Sequence, residues 1–238
     1  MRLSSAVLAA WVLLAAITLE AKPPAARREV QRHGVLFEEW IRDSFFGGYR
    51  PADYTQRWDI PASVNTNHGR IPVNPKAAKF GTPVDFGDAL RQFDIREPFL
   101  LIVGFWRQDG DVKRFVNVQA VRVEPERWRG LWGNIARGDL ERLDAAIKDP
   151  TRSVAEARKA AQAIKRQSPF RESVIQVNPK IDARQRRLQC SVRFADFFQH
   201  LAPDARRDET GKPELFGVAL PAELVSPPRS FRPSSGKP

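Results

Sequence analysis

Apolar and polar positions change rhythm several times along the chain, and each change predicts an element. The first regular stretch, REVQRHGVLFEEWIRDSFF (28–46), places Val30, Val35, Phe37, Trp40, Ile41 and Phe45 at helical spacing. An amphipathic helix is therefore expected from about Arg28 to Phe45. Glu38 and Glu39 fall one turn before Arg42 and Asp43, which brings one glutamate close to the buried stripe. RWDIPASVN (57–65) then reads as a short strand and NTNHG (65–69) as a turn, with GRIPVNPKAAKF (69–80) returning as the second arm of a hairpin. TPVDFGDALRQF (82–93) opens with turn chemistry and becomes a short helix.

The run EPFLLIVGFWRQ (97–108) is apolar without alternation, the pattern of a central strand buried on both faces. VKRFVNVQAVRVE (112–124) alternates like a half-buried strand. From Pro125 the spacing turns helical in PERWRGLWGNI, GDLERLDAAIKD and TRSVAEARKAAQAIKRQ. ESVIQVNPKID (172–182) and RQRRLQCSVRFADFF (184–198) are two further strands joined by an Asp-Ala turn. This order predicts an α/β fold with a mixed sheet flanked by helices.

Composition adds boundaries. The chain of 238 residues opens MRLSSAVLAAWVLLAAITLEAKPPA: one basic residue, a short apolar run, then a small residue, Ala21, before helix-breaking prolines. That is the layout of a secretory signal peptide over residues 1–21. One domain over 22–220 and a disordered Pro/Ser-rich tail over 221–238 complete the expected organisation. A cleaved signal makes the product secreted or periplasmic. An uncleaved one would leave it membrane-anchored, and a misassigned start codon would leave it cytoplasmic.

Charge narrows the partners. Lys and Arg number 39 against 28 Asp and Glu, a net charge of +11. Such a surplus suits an anionic partner: nucleic acid, an acidic polymer or a membrane surface. The single cysteine, Cys190, excludes an internal disulfide and a cysteine zinc site. Its strand-like setting reads as a buried small hydrophobe. His33, His68 and His200 form no pairing motif with it.

One tetrapeptide occurs twice, VNPK at 73–76 and again at 177–180. A proline within a strand removes a ladder donor and belongs on an edge or a bulge. Ahead of the first copy stand Glu38 on a helix and Asp59 at a strand end. Two acids and a lysine in that order suit metal-assisted phosphodiester cleavage: hard oxygen ligands hold Mg²⁺, and lysine steadies developing negative charge. Read singly, the same residues are a solvated helix face (Glu38, Glu39), a turn former (Asp59) and edge-strand lysines (Lys76, Lys79).

QRHGVLFEEWIRD, WDIPASVN, VNPKAAKFG, VDFGDALRQF, FLLIVGFW and NPKIDARQRRLQCS together resemble, in their order, the PD-(D/E)xK nuclease superfamily, in particular restriction-endonuclease-like proteins. The resemblance spans about residues 28–200. It implies a restriction-endonuclease-like sheet, DNA as substrate and Mg²⁺ as cofactor, with Asp59 the metal aspartate, Lys76 the lysine and Glu38 the helix acid. The family's acid two residues before the lysine is replaced by Asn74, whose amide could ligate a metal without contributing charge. Weaker metal binding and slower cleavage are expected, unless Asp85 or Asp88 substitutes.

The second copy has no acids leading into it. Residues 151–200 hold eleven Lys/Arg and four Asp/Glu, a surplus of seven positive charges. Lys180, Arg184, Arg186 and Arg187 around the hairpin are therefore expected to contact nucleic-acid phosphates, where each contact releases counterions; a solvated basic hairpin is the plain alternative. The leading expectation is a DNA-cleaving hydrolase, with homodimerisation open, no small-molecule cofactor and no membrane contact in the mature chain. The alternatives are an inactive DNA-binding module of the same fold and a secreted basic polyanion-binding protein.

Overall fold

A computed structural model describes residues 32–51, 57–109 and 112–220. The expected signal segment, the first residues of the expected first helix and the Pro/Ser-rich tail lie outside them. The elements run α1 (Arg32–Phe45), β1 (Val73–Lys79), β2 (Val84–Asp88), α2 (Ala89–Phe93), β3 (Phe99–Asp109), β4 (Val112–Val123), α3 (Pro125–Leu131), α4 (Arg137–Lys148), α5 (Val154–Lys165), β5 (Ile175–Ile181), β6 (Arg186–Val192) and α6 (Phe194–Asp196), which continues into a π-helical turn. A two-residue ribbon, β7 (Glu214–Leu215) and β8 (Val218–Ala219), closes the described chain. Among these helices none is long and apolar enough to cross a membrane.

The strands form two three-stranded sheets, β1-β3-β4 and β2-β6-β5, and the ribbon. The first sheet is mixed, with β1 parallel to β3 and β3 antiparallel to β4. The second is antiparallel throughout. Strand β3 is central and buried on both faces, as its unbroken apolar run requires. Leu101, Val103 and Phe105 face the larger core, shared with the second sheet and α2 to α6. Leu100 and Ile102 face a smaller core beneath α1, with Phe37, Ile41, Ile60, Val73 and Leu215.

Gly104 explains how closely α1 approaches. A Cβ built on it would lie 2.6 Å from Phe37 Cζ and 2.7 Å from Phe115 Cε1. The bare glycine backbone lets the Phe37 ring lie flat on β3, stacked on Phe115 with centroids 4.7 Å apart. Capping sets other boundaries: Asp88 accepts from Arg91 N–H at 2.8 Å to start α2, and Ser153 with Glu156 forms a capping box at α5.

Several expectations need correction. The expected strand at 57–65 is not a hairpin arm; its pairing shrinks to one bridge, Ile60 with Val73. The reason is Asn65, fully buried, whose amide donates to the His68 and Ile71 carbonyls at 2.9 and 2.8 Å and accepts from His68 N–H at 2.9 Å. Those bonds, with the Val64 and Asn65 N–H bonds to the Pro61 carbonyl, wind the chain into a loop after the Ile60 bridge instead of a ladder. The stretch before α2 is strand β2 and not a turn, and the last long strand ends at Val192, where Phe194 begins a helix. The expected single mixed sheet is divided in two.

Candidate functional site

The bridge fixes Asp59. Ile60 and Val73 exchange backbone bonds of 3.2 and 2.8 Å, so the residue before Ile60 sits beside the edge of β1. Lys76 Nζ donates to Asp59 Oδ2 at 3.1 Å and to the Pro75 carbonyl at 2.8 Å. Pro75 lies opposite Ile102 in register, in a strand with a partner sheet on one side only, where a missing N–H costs least.

Glu38 follows Phe37 on α1, so the Gly104 contact also fixes the depth of this carboxylate. Its pKa is pushed up to about 7, first by burial and second by the charge of Asp59; Lys76 and Arg42 pull the other way, and Glu39 adds a smaller push. Arg42 Nη1 lies 3.7 Å from Glu38 Oε2, one helical turn away. Arg42 is 8% exposed, and its Nε is buried without a hydrogen-bond partner. Two carboxylates and two cations thus lie within electrostatic reach of one another. Arg42 is the member that sequence reading placed on the helix but left out of the site; its i+4 spacing from Glu38 was the available signal.

The approach is from two sides. Asn74 and Lys76 stand opposite Leu101 and Val103, which face the larger core, whereas Val73 and Ala77 pack with the smaller core beneath α1. Glu38 therefore reaches the pair around the free edge of β1, not from the face that carries Lys76. Asn74 is 3% exposed and makes no side-chain hydrogen bond to another described residue.

Glu38, Asp59 and Asn74 are the oxygen donors available to a metal. They fit a divalent cation in kind, since the charge of Asp59 helps to raise the Glu38 pKa and a bound cation would relieve that repulsion. Lys76 occupies Asp59 in this arrangement and would have to yield one oxygen. Among the described residues no group of three or more His, Cys, Asp or Glu side chains is placed to hold a metal, so the amide of Asn74 would have to complete the set. Asp85 and Asp88 are occupied locally instead. Asp85 accepts from Gly87 N–H at 2.8 Å, Asp88 caps α2, and the charges of both help raise the pKa of Cys190 in the second sheet.

Cys190 is fully buried, and burial is the main cause of its raised pKa, which suits a small core residue and not a nucleophile.

The basic hairpin β5–β6 divides its four expected contacts. Lys180, Arg184 and Arg187 are exposed. Arg186 is not free: it donates to the Asp149 and Arg152 carbonyls at 2.6 Å each and lies 3.4 Å from that of Ile147. These carbonyls end α4 and begin the loop after it, so Arg186 closes a helix C-terminus. Asp182 shapes the turn, accepting from Arg184 N–H at 2.7 Å and Gln185 N–H at 3.0 Å. Compared with known proteins, the chain matches no protein-family model, no curated protein and no solved structure.

Proposed function

We propose that this protein is a metal-dependent nuclease of weak activity that hydrolyses DNA phosphodiester bonds, on a fold of the restriction-endonuclease-like kind. The observation that carries the reading is the Glu38 carboxyl, held at a pKa of about 7 beside the Asp59–Lys76 pair on a sheet edge. Without a metal such a carboxyl divides between its two protonation states at neutral pH; a bound cation would hold it ionised, so that cation binding and proton release at Glu38 would be coupled. Lys76 and Arg42 offer positive charge where a phosphorane-like oxygen develops its own negative charge. Mg²⁺, held by Glu38, Asp59 and Asn74, would supply the polarisation of the phosphate and the lowered pKa of the water. The net charge of +11 supports an anionic substrate.

Two features favour a second reading, an inactive DNA-binding module. Lys76 is engaged by Asp59 at 3.1 Å, and Asn74 stands where a third acid would complete the metal set. Plasmid cleavage against Mg²⁺ concentration separates the two. The nuclease reading expects slow cutting that needs high Mg²⁺, faster cutting by Asn74→Asp and none by Asp59→Ala or Lys76→Ala. Equal cutting by the unmodified protein and Asp59→Ala sinks it, and DNA binding without any cutting leaves the second reading standing.

A further inference from the structure

A cleft of about 470 Å³ opens between α5 and the β5–β6 hairpin, lined by Arg158, Gln162, Lys165, Lys180, Asp182 and Gln185 over an apolar floor of Ala161, Pro179 and Ile181. Arg158 is held in place: Nε and Nη2 donate to the Ile181 carbonyl at 3.0 and 2.7 Å, which leaves Nη1 unengaged. Lys165 and Lys180 have no ion-pair or hydrogen-bond partner among the described residues. Lys165 is partly buried, and desolvation lowers its pKa without any partner to offset it. The one carboxylate in the lining, Asp182, is occupied by the turn's own N–H groups and the Gln185 amide. Three cations face one committed anion.

We propose that this cleft binds a phosphate monoester carried on a small, partly apolar body, of the size of a nucleoside monophosphate. A surplus of two positive charges matches a dianionic phosphate, and the fixed Arg158, through Nη1, with Lys165 on α5 and Lys180 on β5 supplies charge-assisted donors from two elements. The volume falls in the range of small-ligand sites and exceeds what a bare phosphate fills. Ala161, Pro179 and Ile181 offer the apolar wall that a sugar or base would cover. The cleft shares no residue with the Glu38 cluster, so its assignment is independent of the nuclease reading.

Calorimetric titration of the full chain with deoxyadenosine 5′-monophosphate tests it, beside deoxyadenosine, inorganic phosphate and short oligonucleotides with a 5′-phosphate or a 5′-hydroxyl. Saturable binding of the monophosphate is expected, tighter than that of inorganic phosphate and absent for the nucleoside. Lys165→Gln should weaken it about tenfold or more, whereas Arg171→Gln, an equal loss of charge at an exposed position outside the lining, should leave it unchanged. The 5′-phosphorylated oligonucleotide should bind more tightly than its 5′-hydroxyl counterpart. No saturable binding of the monophosphate, or equal weakening by Lys165→Gln and Arg171→Gln, overturns the proposal. Equal affinity for the two oligonucleotides, lost in Lys165→Gln, overturns the monoester in favour of a backbone diester.

Discussion

The two VNPK segments fold alike and behave differently. Each forms part of an edge strand in a three-stranded sheet, paired on one side to a central strand, with its proline where the ladder tolerates one. Beyond that they diverge. On β1, Asn74 is buried and Lys76 is half-buried against Asp59. On β5, Asn178 donates to Ser191 Oγ at 2.8 Å, and Lys180 is exposed at the rim of a basic cleft. The neighbours decide the difference: a wound loop and the glutamates of α1 at the first copy, the basic helix α5 at the second. The tetrapeptide sets backbone and edge position, and its lysine takes its chemistry from the neighbouring element.

The strongest way to break the comparison is to move the neighbour at the first copy alone. Gly104→Ala puts a methyl 2.6 Å from the Phe37 ring, so α1 must shift. A loss of about 3 kcal/mol is expected in denaturant unfolding. Monophosphate binding at the β5 cleft should persist in the fraction that stays folded. A loss below about 0.5 kcal/mol would mean that Phe37 turns aside freely and that Gly104 does not set the depth of Glu38.

A smaller effect sharpens the electrostatic half. As pH rises past about 4.5, the unfolded Glu38 releases its proton while the folded one keeps it up to about 7. The folded state then binds the extra proton, so stability falls as pH rises through that window. Glu38→Gln cannot titrate. It should match the unmodified protein below the window and exceed it by about 2 kcal/mol above, less than the full shift of the window because the carboxyl is 31% exposed, measured as unfolding free energy against pH. Parallel pH profiles for the two proteins would show that Glu38 is not under that pressure.

The least effect separates the lysines themselves. Lys76→Met leaves a partly buried Asp59 without its partner and should cost about 0.5–1 kcal/mol, whereas Lys180→Met should change stability by less than about 0.5 kcal/mol. Equal costs in thermal unfolding would erase the distinction drawn between the two copies.

Much of this was legible in the residues. The helix of α1, the doubly buried β3, the alternation of β4, the three helices after Pro125 and the basic hairpin follow from periodicity and capping, which are local. The sequence also brings Asp59 and Lys76 to one end of a sheet, although through a hairpin that does not form and without the ion pair between them. Asn65 defeated that hairpin, because nothing in SVNTN says that the amide will be buried and bonded to two carbonyls. Asp85 and Asp88 looked available for the site, yet a strand where a turn was read carries them into the other sheet. Arg186 looked like a phosphate contact, and only tertiary packing reveals that α4 ends against it. For Asn65 and the two aspartates the missing information was which nearby backbone groups they would cap, and for Arg186 it was a distant helix end.

The central position of β3 also bears on the order of assembly. Its pairing with β4 begins at Asp109 and Val112, three positions apart in sequence, whereas the parallel pairing with β1 must span the whole of β2 and α2. Loop-closure entropy favours the nearer pairing, so the β3–β4 hairpin is expected to nucleate and β1 to dock afterwards. Asp59 and Lys76 share one segment through the Ile60–Val73 bridge, but Glu38 can join them only once β1 has docked and α1 has settled on Gly104. The residues proposed for chemistry are thus expected to be among the last to come together. In pulsed hydrogen exchange during refolding, the amides of β3 and β4 should gain protection before those of β1.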